Sequence, residues 1–322
     1  MTAITRRALP LLALAATPAI AQPAWPDRPV RVVVPFPGGS TPDIAARAVA
    51  AHFTTVFGQP FVIDNRAGAG GNIGTDAVAK ATDGHVIGVS INSPLAVAPA
   101  LFPNLPYDPR RDLVAISLLA RLPQLLVVHP SVPASDVAGF IAHARANPGK
   151  MTYGSVGAGS GSHLAMEEFM ARTETRMEHA PYRGFPQAVL DLVAGRIEAM
   201  FVSSGAVLAQ VREGQVRALA VTSDTRITQL PAVPTLAEAG LPGAASYGWI
   251  ALIAPAATPA PRVARLAQEA QAALADPRTK ATLEATGFEI VASSPADAAA
   301  YIAAEAERWG GLVRRLDIKP DA

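Results

Sequence analysis

Two glycine- and hydroxyl-rich loops, each lying between an apolar run and a helix start, hold most of the chemistry this sequence can offer. The first is Phe36-Pro37-Gly38-Gly39-Ser40-Thr41; the second runs from Gly154 through Gly157, Gly159 and Ser160 to Ser162, ahead of a helical stretch opening at His163. Glycine lets a backbone N–H approach a bound group closely, and a helix N-terminus adds unpaired N–H donors and the positive end of a dipole. Ser40, Thr41, Ser160 and Ser162 contribute hydroxyls, and Asp43 complements the dipole of the first helix. Loops of this kind suit an anion. Neither contains Lys or Arg, which disfavours a nucleotide and favours one or two carboxylates held by neutral donors and ordered water. Arg183 is the nearest cation and reads first as a solvated side chain ahead of a helix. His163 is placed either to orient the second loop or to touch the ligand.

Other chemistries fail on spacing. A nucleophile elbow needs glycines two residues either side of its serine, whereas Ser160 has Ala158 before it and Ser162 after it. A hydrolase using Ser160 and His163 is therefore only an alternative. No Gly-Lys-Ser or Gly-Lys-Thr phosphate loop occurs, and Gly68, Gly70 and Gly74 miss the dinucleotide fingerprint by one place. The histidines show no His-x-x-x-His or His-Glu-x-x-His spacing, and cysteine is absent, so no metal, cofactor or thiol chemistry is expected. Glu167-Glu168 and Glu305-Ala306-Glu307 read as acids on solvated helical faces.

The elements that must position these loops alternate between strand and helix. Val30 to Val34 is a β-branched run; Thr41 then reads as an N-cap with Pro42 in the first turn, opening an amphipathic helix that closes at Gly58. Phe61-Val62-Ile63 is the next strand, Ile73 to Ala81 a helix, and Val86 to Val89 a strand that ends at Asn92-Ser93-Pro94. Leu125 to His129 reads as a strand, Ser135 as the cap of a helix through Ala146, and Met151 to Tyr153 as the strand before the second loop. Alternation of this kind predicts a parallel α/β sheet, with ligands at the carboxyl ends of the strands. Trp249 to Ala254 and Pro261 to Ala275 read as a strand and helix returning to the first sheet.

The chain of 322 residues is half hydrophobic and exceeds the size at which one core keeps growing, so two lobes are expected. Its 27 basic and 26 acidic residues give a net charge of +1 and no field for nucleic acid. At the N-terminus, Arg6 and Arg7 precede an apolar run to Ala16, and Ala19-Ile20-Ala21 offers small residues to a signal peptidase, as expected of an export signal cleaved near Ala21. Thr5-Arg6-Arg7-Ala8-Leu9 also has the shape of a twin-arginine signal.

Several stretches together resemble the Bug (TctC) family: Trp25-Pro26-Asp27-Arg28-Pro29-Val30, Asp64-Asn65-Arg66-Ala67-Gly68-Ala69-Gly70-Gly71, Pro106-Tyr107-Asp108-Pro109, Pro181-Tyr182-Arg183-Gly184 and Val233-Pro234-Thr235-Leu236. The resemblance implies a monomeric periplasmic receptor with a two-lobed, type II periplasmic-binding-protein-like fold and an interlobe cleft that closes on a small carboxylate. It also implies delivery to the subunits of a tripartite tricarboxylate membrane transporter. A sensor subunit for a membrane signalling partner would use the same cleft. On this reading residues 22–122 and 243–322 form lobe one, residues 123–242 form lobe two, and two crossing strands make the hinge. The family's carboxylate-gripping loops match Phe36 to Thr41 and Gly157 to His163. One departure is that Gly38 stands at the family's second proline position and Ser40 at its second glycine, which changes the stiffness of the loop. The expected ligand-binding set is Phe36, Pro37, Gly39, Ser40, Thr41, Asp43, Gly157, Gly159, Ser160 and His163, with Ser93, Gly184, Ser203 and Tyr247 reading the rest of the ligand.

Overall fold

The computed structural model describes Trp25 to Pro320; the signal assigned to Arg6 through Ala21 lies outside these residues. Strands β1 (Val30–Val34), β2 (Phe61–Asn65) and β3 (Val86–Ile91) are parallel in the order β2-β1-β3, with helices α1 (Thr41–Phe57) and α2 (Asn72–Ala79) as crossovers. Val30, Val32, Val33 and Val34 are all buried, as expected of a strand covered on both faces by helices. Two short helices follow, α3 (Ala98–Leu101) and α4 (Pro109–Asp112), before the longest strand, β4 (Leu113–Val128).

This strand joins the two lobes. From Leu113 to Pro123 it pairs antiparallel with β9 (Tyr247–Pro255), which also pairs with β3 and so completes the first sheet. From Gln124 to Val128 it pairs with β7 (Ala199–Ser203) and β8 (Arg217–Val221) of a second sheet. In that sheet β5 (Thr152–Ser155) lies parallel to both β7 and β6 (Glu178–Pro181). Helices α5 (Val137–Ala146), α6 (Gly161–Thr173), α7 (Phe185–Val193) and α8 (Ser204–Arg212) accompany the second sheet. The chain comes back at Ser246, whose N–H donates to the Thr222 carbonyl, and Tyr247 pairs with Pro123 at the start of β9.

The final stretch contributes α9 (Ala260–Ala275), α10 (Pro277–Ala285), the short β10 (Glu289–Ile290) and the long α11 (Pro295–Leu316). Trp309, Leu312 and Val313 of α11 share one apolar cluster with Val97 and Leu101 of the first lobe and Leu164 of α6 in the second. The helix therefore leans on both lobes. Arg308 of α11 also donates to Glu168 Oε2 of α6 at 3.0 Å, beside the Arg172–Glu168 pair at 3.0 Å. No helix among the described residues is long and apolar enough to cross a membrane.

Several local expectations are corrected. The N-cap of α1 is Ser40, with Thr41 and Pro42 inside the first turn, and α5 is capped by Asp136, which accepts from Gly139 N, in place of Ser135. The strand expected at Leu125 to His129 begins at Leu113, because pairing with β9 carries it through Arg121 and Pro123, which interrupt the local apolar pattern. Of the acids expected to be solvated, Glu307 is exposed, but Glu167, Glu168 and Glu305 are structural groups. Buried Glu305 accepts the indole N–H of Trp249 at 2.9 Å and of Trp309 at 2.8 Å, which offsets the cost of removing its charge from water. Glu167 accepts from Tyr153 Oη at 2.6 Å, and Glu168 is held by Arg172 and Arg308.

Candidate functional site

The first loop leaves the carboxyl end of β1 and is braced by a carboxylate from its own helix. Asp43, only 1% exposed, accepts from Gly39 N and Arg47 Nε at 2.8 Å each and from Asn65 Nδ2 at 2.9 Å. Burial by itself would raise its pKa, but these donors and the Arg47 charge together hold it below the ordinary carboxylate value. Asn65 Nδ2 also donates to the Phe36 carbonyl at 2.9 Å, so both ends of the loop are tied to one residue of β2. Asp43 thus sets the loop's shape from within. Pro37 and Gly39 are left exposed, and Ser40 Oγ is buried without a hydrogen-bond partner. The Phe36 ring lies over Gly71, where an added Cβ would come within 3.1 Å of Cε2. Thr41, half-buried, opens the helix.

The second loop leaves β5 and folds onto its own side chains. Ser155 Oγ meets His179 Nε2 at 2.6 Å and accepts from Gly157 N at 3.1 Å. Ser162 Oγ accepts from Val156 N at 3.2 Å, and Ser160 Oγ caps α6 by accepting from His163 N at 3.3 Å. His163 is 5% exposed, and its Nδ1 accepts from Gly159 N at 3.2 Å. Accepting at Nδ1 fixes the neutral tautomer with its proton on Nε2, which faces Glu167 Oε1 at 3.7 Å. Burial, followed by the neighbouring His179, pushes its pKa down to about 3. The rings of Tyr153, His179 and His163 form a continuous stack beneath the loop, with centroids 5.0 and 4.3 Å apart along it. His163 therefore orients the loop through its ring. Ser160 bonds the backbone of His163 and not the imidazole, so the Ser160–His163 pair that a hydrolase would use is not joined side chain to side chain.

The two lobes meet across this second loop. A Cβ on Gly159, whose φ is +73°, would lie 2.7 Å from Leu101 Cδ2 and 3.2 Å from Val97 Cγ1 of the first lobe. One on Gly161 would lie 2.9 Å from Asn92 Nδ2, at the end of β3, and 2.9 Å from Gln124 Nε2, where β4 changes sheets. On the other flank a Cβ on Gly205 of α8 would lie 2.0 Å from the Thr286 carbonyl oxygen. Ser203 closes β7 directly opposite Gln124. Ser93 is buried, its Oγ 3.9 Å from a Cβ built on Gly70, next to the segment that carries Phe36's contact. The structure thus brings Phe36, Gly71 and Pro94 together in one lobe and sets Asn92 against Gly161 across the cleft.

Two other expected positions have local contacts of their own. Gly184 caps α7 and a Cβ there would touch only Pro186. Tyr247 sits at the return strand, its hydroxyl donating to Asp224 Oδ2 at 3.0 Å, with the Arg121 guanidinium 4.3 Å over its ring. Burial pushes the phenol up to about 12, so it stays a neutral donor and ties the hinge to lobe two. Asn92, Gln124 and Gly161 were absent from the expected set. Asn92 could have been found as a polar residue at the carboxyl end of a parallel strand, and Gln124 as a lone amide inside an apolar run.

Residues 45–318 match the profile of the Tripartite tricarboxylate transporter family receptor. The chain is 39% identical over 310 residues to Protein BugT of Bordetella pertussis, covering 94% of this chain and 95% of that one. Among solved structures, an R. palustris protein with adipate superposes with a TM-score of 0.85 at 35% identity, covering 92% of this chain and 100% of that one. MatC from Rhodopseudomonas palustris with bound malate superposes with a TM-score of 0.82 at 32% identity, covering 90% of this chain and 100% of that one. The shared fold, the two glycine–hydroxyl loops and these similarities lead to one conclusion: the chain belongs to the Bug/TctC family of periplasmic solute-binding receptors.

Proposed function

We propose that this protein captures a small carboxylate between its lobes in the periplasm and delivers it to the membrane subunits of a tripartite tricarboxylate-type transporter. The observation that carries this reading is the pair of glycine–hydroxyl loops at the ends of β1 and β5, each feeding a helix N-terminus and neither containing a cation. Such loops hold a carboxylate through neutral donors. The adipate and malate bound by two structural relatives agree with that ligand class. Capture needs no catalysis, because affinity and closure about a hinge suffice; β4 and the start of β9 are the two strands that would flex. In this reading the export signal ends near Ala21, the lobes divide as residues 22–122 with 243–322 against 123–242, and the receptor acts as a monomer.

The test is a thermal-shift screen of protein freed of bound ligand by unfolding and refolding, against mono- and dicarboxylates of aliphatic, amino-acid and aromatic type. A ligand at a hundredfold its Kd adds about 2.7 kcal/mol, a rise of several degrees for a chain of this size. If neutral or cationic solutes raise the melting temperature and no carboxylate does, the carboxylate reading is wrong. The delivery step is tested by uptake of the labelled hit in cells lacking either the receptor or the transporter's membrane subunits. Uptake that survives without those subunits would refute it.

A further inference from the structure

Asn92 and Gln124 are each only 3% exposed, yet Asn92 Nδ2 and Gln124 Oε1 are buried with no hydrogen-bond partner. A buried side-chain amide normally finds partners, because leaving it unpaired forfeits hydrogen bonds it makes to water when unfolded. These two come from different elements, the end of β3 and the crossing point of β4, and both press an NH2 group against the same backbone position, Gly161. Gly161 is the first residue of α6, a helix of 13 residues, and in its first turn the N–H groups of Gly161 and Ser162 have no intrahelical acceptor. Two neutral amides thus meet a helix N-terminus across the cleft, with the Asn92 NH2 donor and the Gln124 carbonyl oxygen unpaired and the NH2 groups of both turned toward Gly161. The Gln124 backbone is already committed, its N–H to Thr222 Oγ1 and its carbonyl to Thr222 N, so the side chain is not needed to hold the strand.

We propose that Asn92 and Gln124 are specificity-determining residues that bind one carboxylate group of the ligand against the N-terminus of α6. This rests on the carboxylate-receptor reading and adds to it the residues that read the ligand from the first lobe and the hinge. A carboxylate supplies several acceptor sites, enough for both amides and the helix N–H groups at once. Because one amide belongs to lobe one and the helix to lobe two, the same carboxylate ties the lobes together and favours closure. Gly161 is required because any side chain there would occupy the place where the amides meet the helix.

The experiment compares Asn92→Leu and Gln124→Leu, near-isosteric changes that delete the amide, with Gln124→Glu, which puts a charge of the ligand's own sign in the site. Melting temperatures are measured without ligand, and affinities by calorimetry with malate, adipate and benzoate as probes. Each Leu variant should melt at or above the parent temperature without ligand, since an unpaired buried amide has been replaced by an apolar group, while losing at least tenfold in affinity. Gln124→Glu should lose at least a hundredfold. A purely structural role would lower the ligand-free melting temperature and leave affinity within twofold of the parent; that pattern in both Leu variants overturns the proposal. If no carboxylate of the thermal-shift panel binds the parent while neutral or cationic solutes do, the carboxylate reading itself falls and this assignment with it.

Discussion

Because the His163 ring is buried and neutral, the protein should lose stability in mildly acidic solution in a way that one substitution removes. The groups facing the ring are Tyr153, His179 and Glu167. Folding lowers the His163 pKa from its ordinary 6.5 to about 3, through burial first and the neighbouring His179 second. Between these values the unfolded chain carries a proton here that the folded chain refuses. This contribution is therefore complete above about pH 6.5 and is lost as the pH falls toward 3, at about 1.4 kcal/mol per pH unit. From pH 7.5 to pH 5.0 it amounts to about 2 kcal/mol. Phe in place of His163 keeps the ring stack and abolishes the titration, but strands the Gly159 N–H now accepted by Nδ1, at a cost of about 1–3 kcal/mol at pH 7.5. Urea unfolding of parent and His163→Phe at both pH values gives a double difference in which titrating groups remote from His163 cancel, leaving His163 and its coupling to His179. The parent should lose about 2 kcal/mol more than the variant. Equal losses would mean that His163 takes up a proton as readily folded as unfolded, and the account of the loop resting on a neutral imidazole would fall. Asp43, held below the ordinary carboxylate value, titrates beneath this window, whereas burial raises Glu289 toward it, which is why the comparison with the variant is needed.

Two further outcomes follow from the loops. Gly159→Val places a β-branched side chain at φ +73° and drives it toward Leu101, so the melting temperature should fall by a few degrees, with a strain of about 1–2 kcal/mol, and binding of the screen's best carboxylate should weaken more than tenfold; unchanged affinity in calorimetry would show that the loop need not lie close against the first lobe. Ser40→Ala removes a hydroxyl that has no partner in the protein, so the ligand-free melting curve should not fall, while affinity drops by about 1 kcal/mol, roughly fivefold; a lower melting temperature with full affinity would make the hydroxyl structural.

What the sequence disclosed about this molecule tracks how local the signal is. The loops at Phe36 to Thr41 and Gly157 to His163 were legible because each is a short contiguous device, a β-branched run, glycines and a helix start, whose purpose does not depend on distant residues. Even there the side chains behave differently from their first reading. Thr41 yields the cap position to Ser40, and Asp43, a candidate contact, spends both oxygens on Gly39, Arg47 and Asn65. The full length of β4 was not legible, since Arg121, Pro123 and Gln124 interrupt its apolar pattern and only pairing with β9, far along the chain, makes Leu113–Val128 a single strand. The long helix α11 carries a related lesson: Glu305 looked like surface charge until two tryptophans, one from β9, met it in the interior.

The same distinction explains why the neutral amides escaped notice. A cationic site announces itself in the sequence by charge, and a metal site by the spacing of its ligands. Asn92 and Gln124 have only the weaker signal of a polar residue at a strand end and a lone amide in an apolar run, which gains meaning once the fold sets both against Gly161 and leaves one polar atom of each unpaired. If the protein delivers its ligand to a membrane partner as proposed, it has a physical reason to prefer such groups. Neutral donors hold a carboxylate with hydrogen bonds that are weaker than salt bridges, and once the lobes part, water can satisfy them without leaving a buried charge exposed to an empty site. In the proposed site, grip would come from the number of convergent donors and from closure, so opening the hinge would weaken every contact together. In a site built on arginine, one strong ion pair would outlast the opening and slow release.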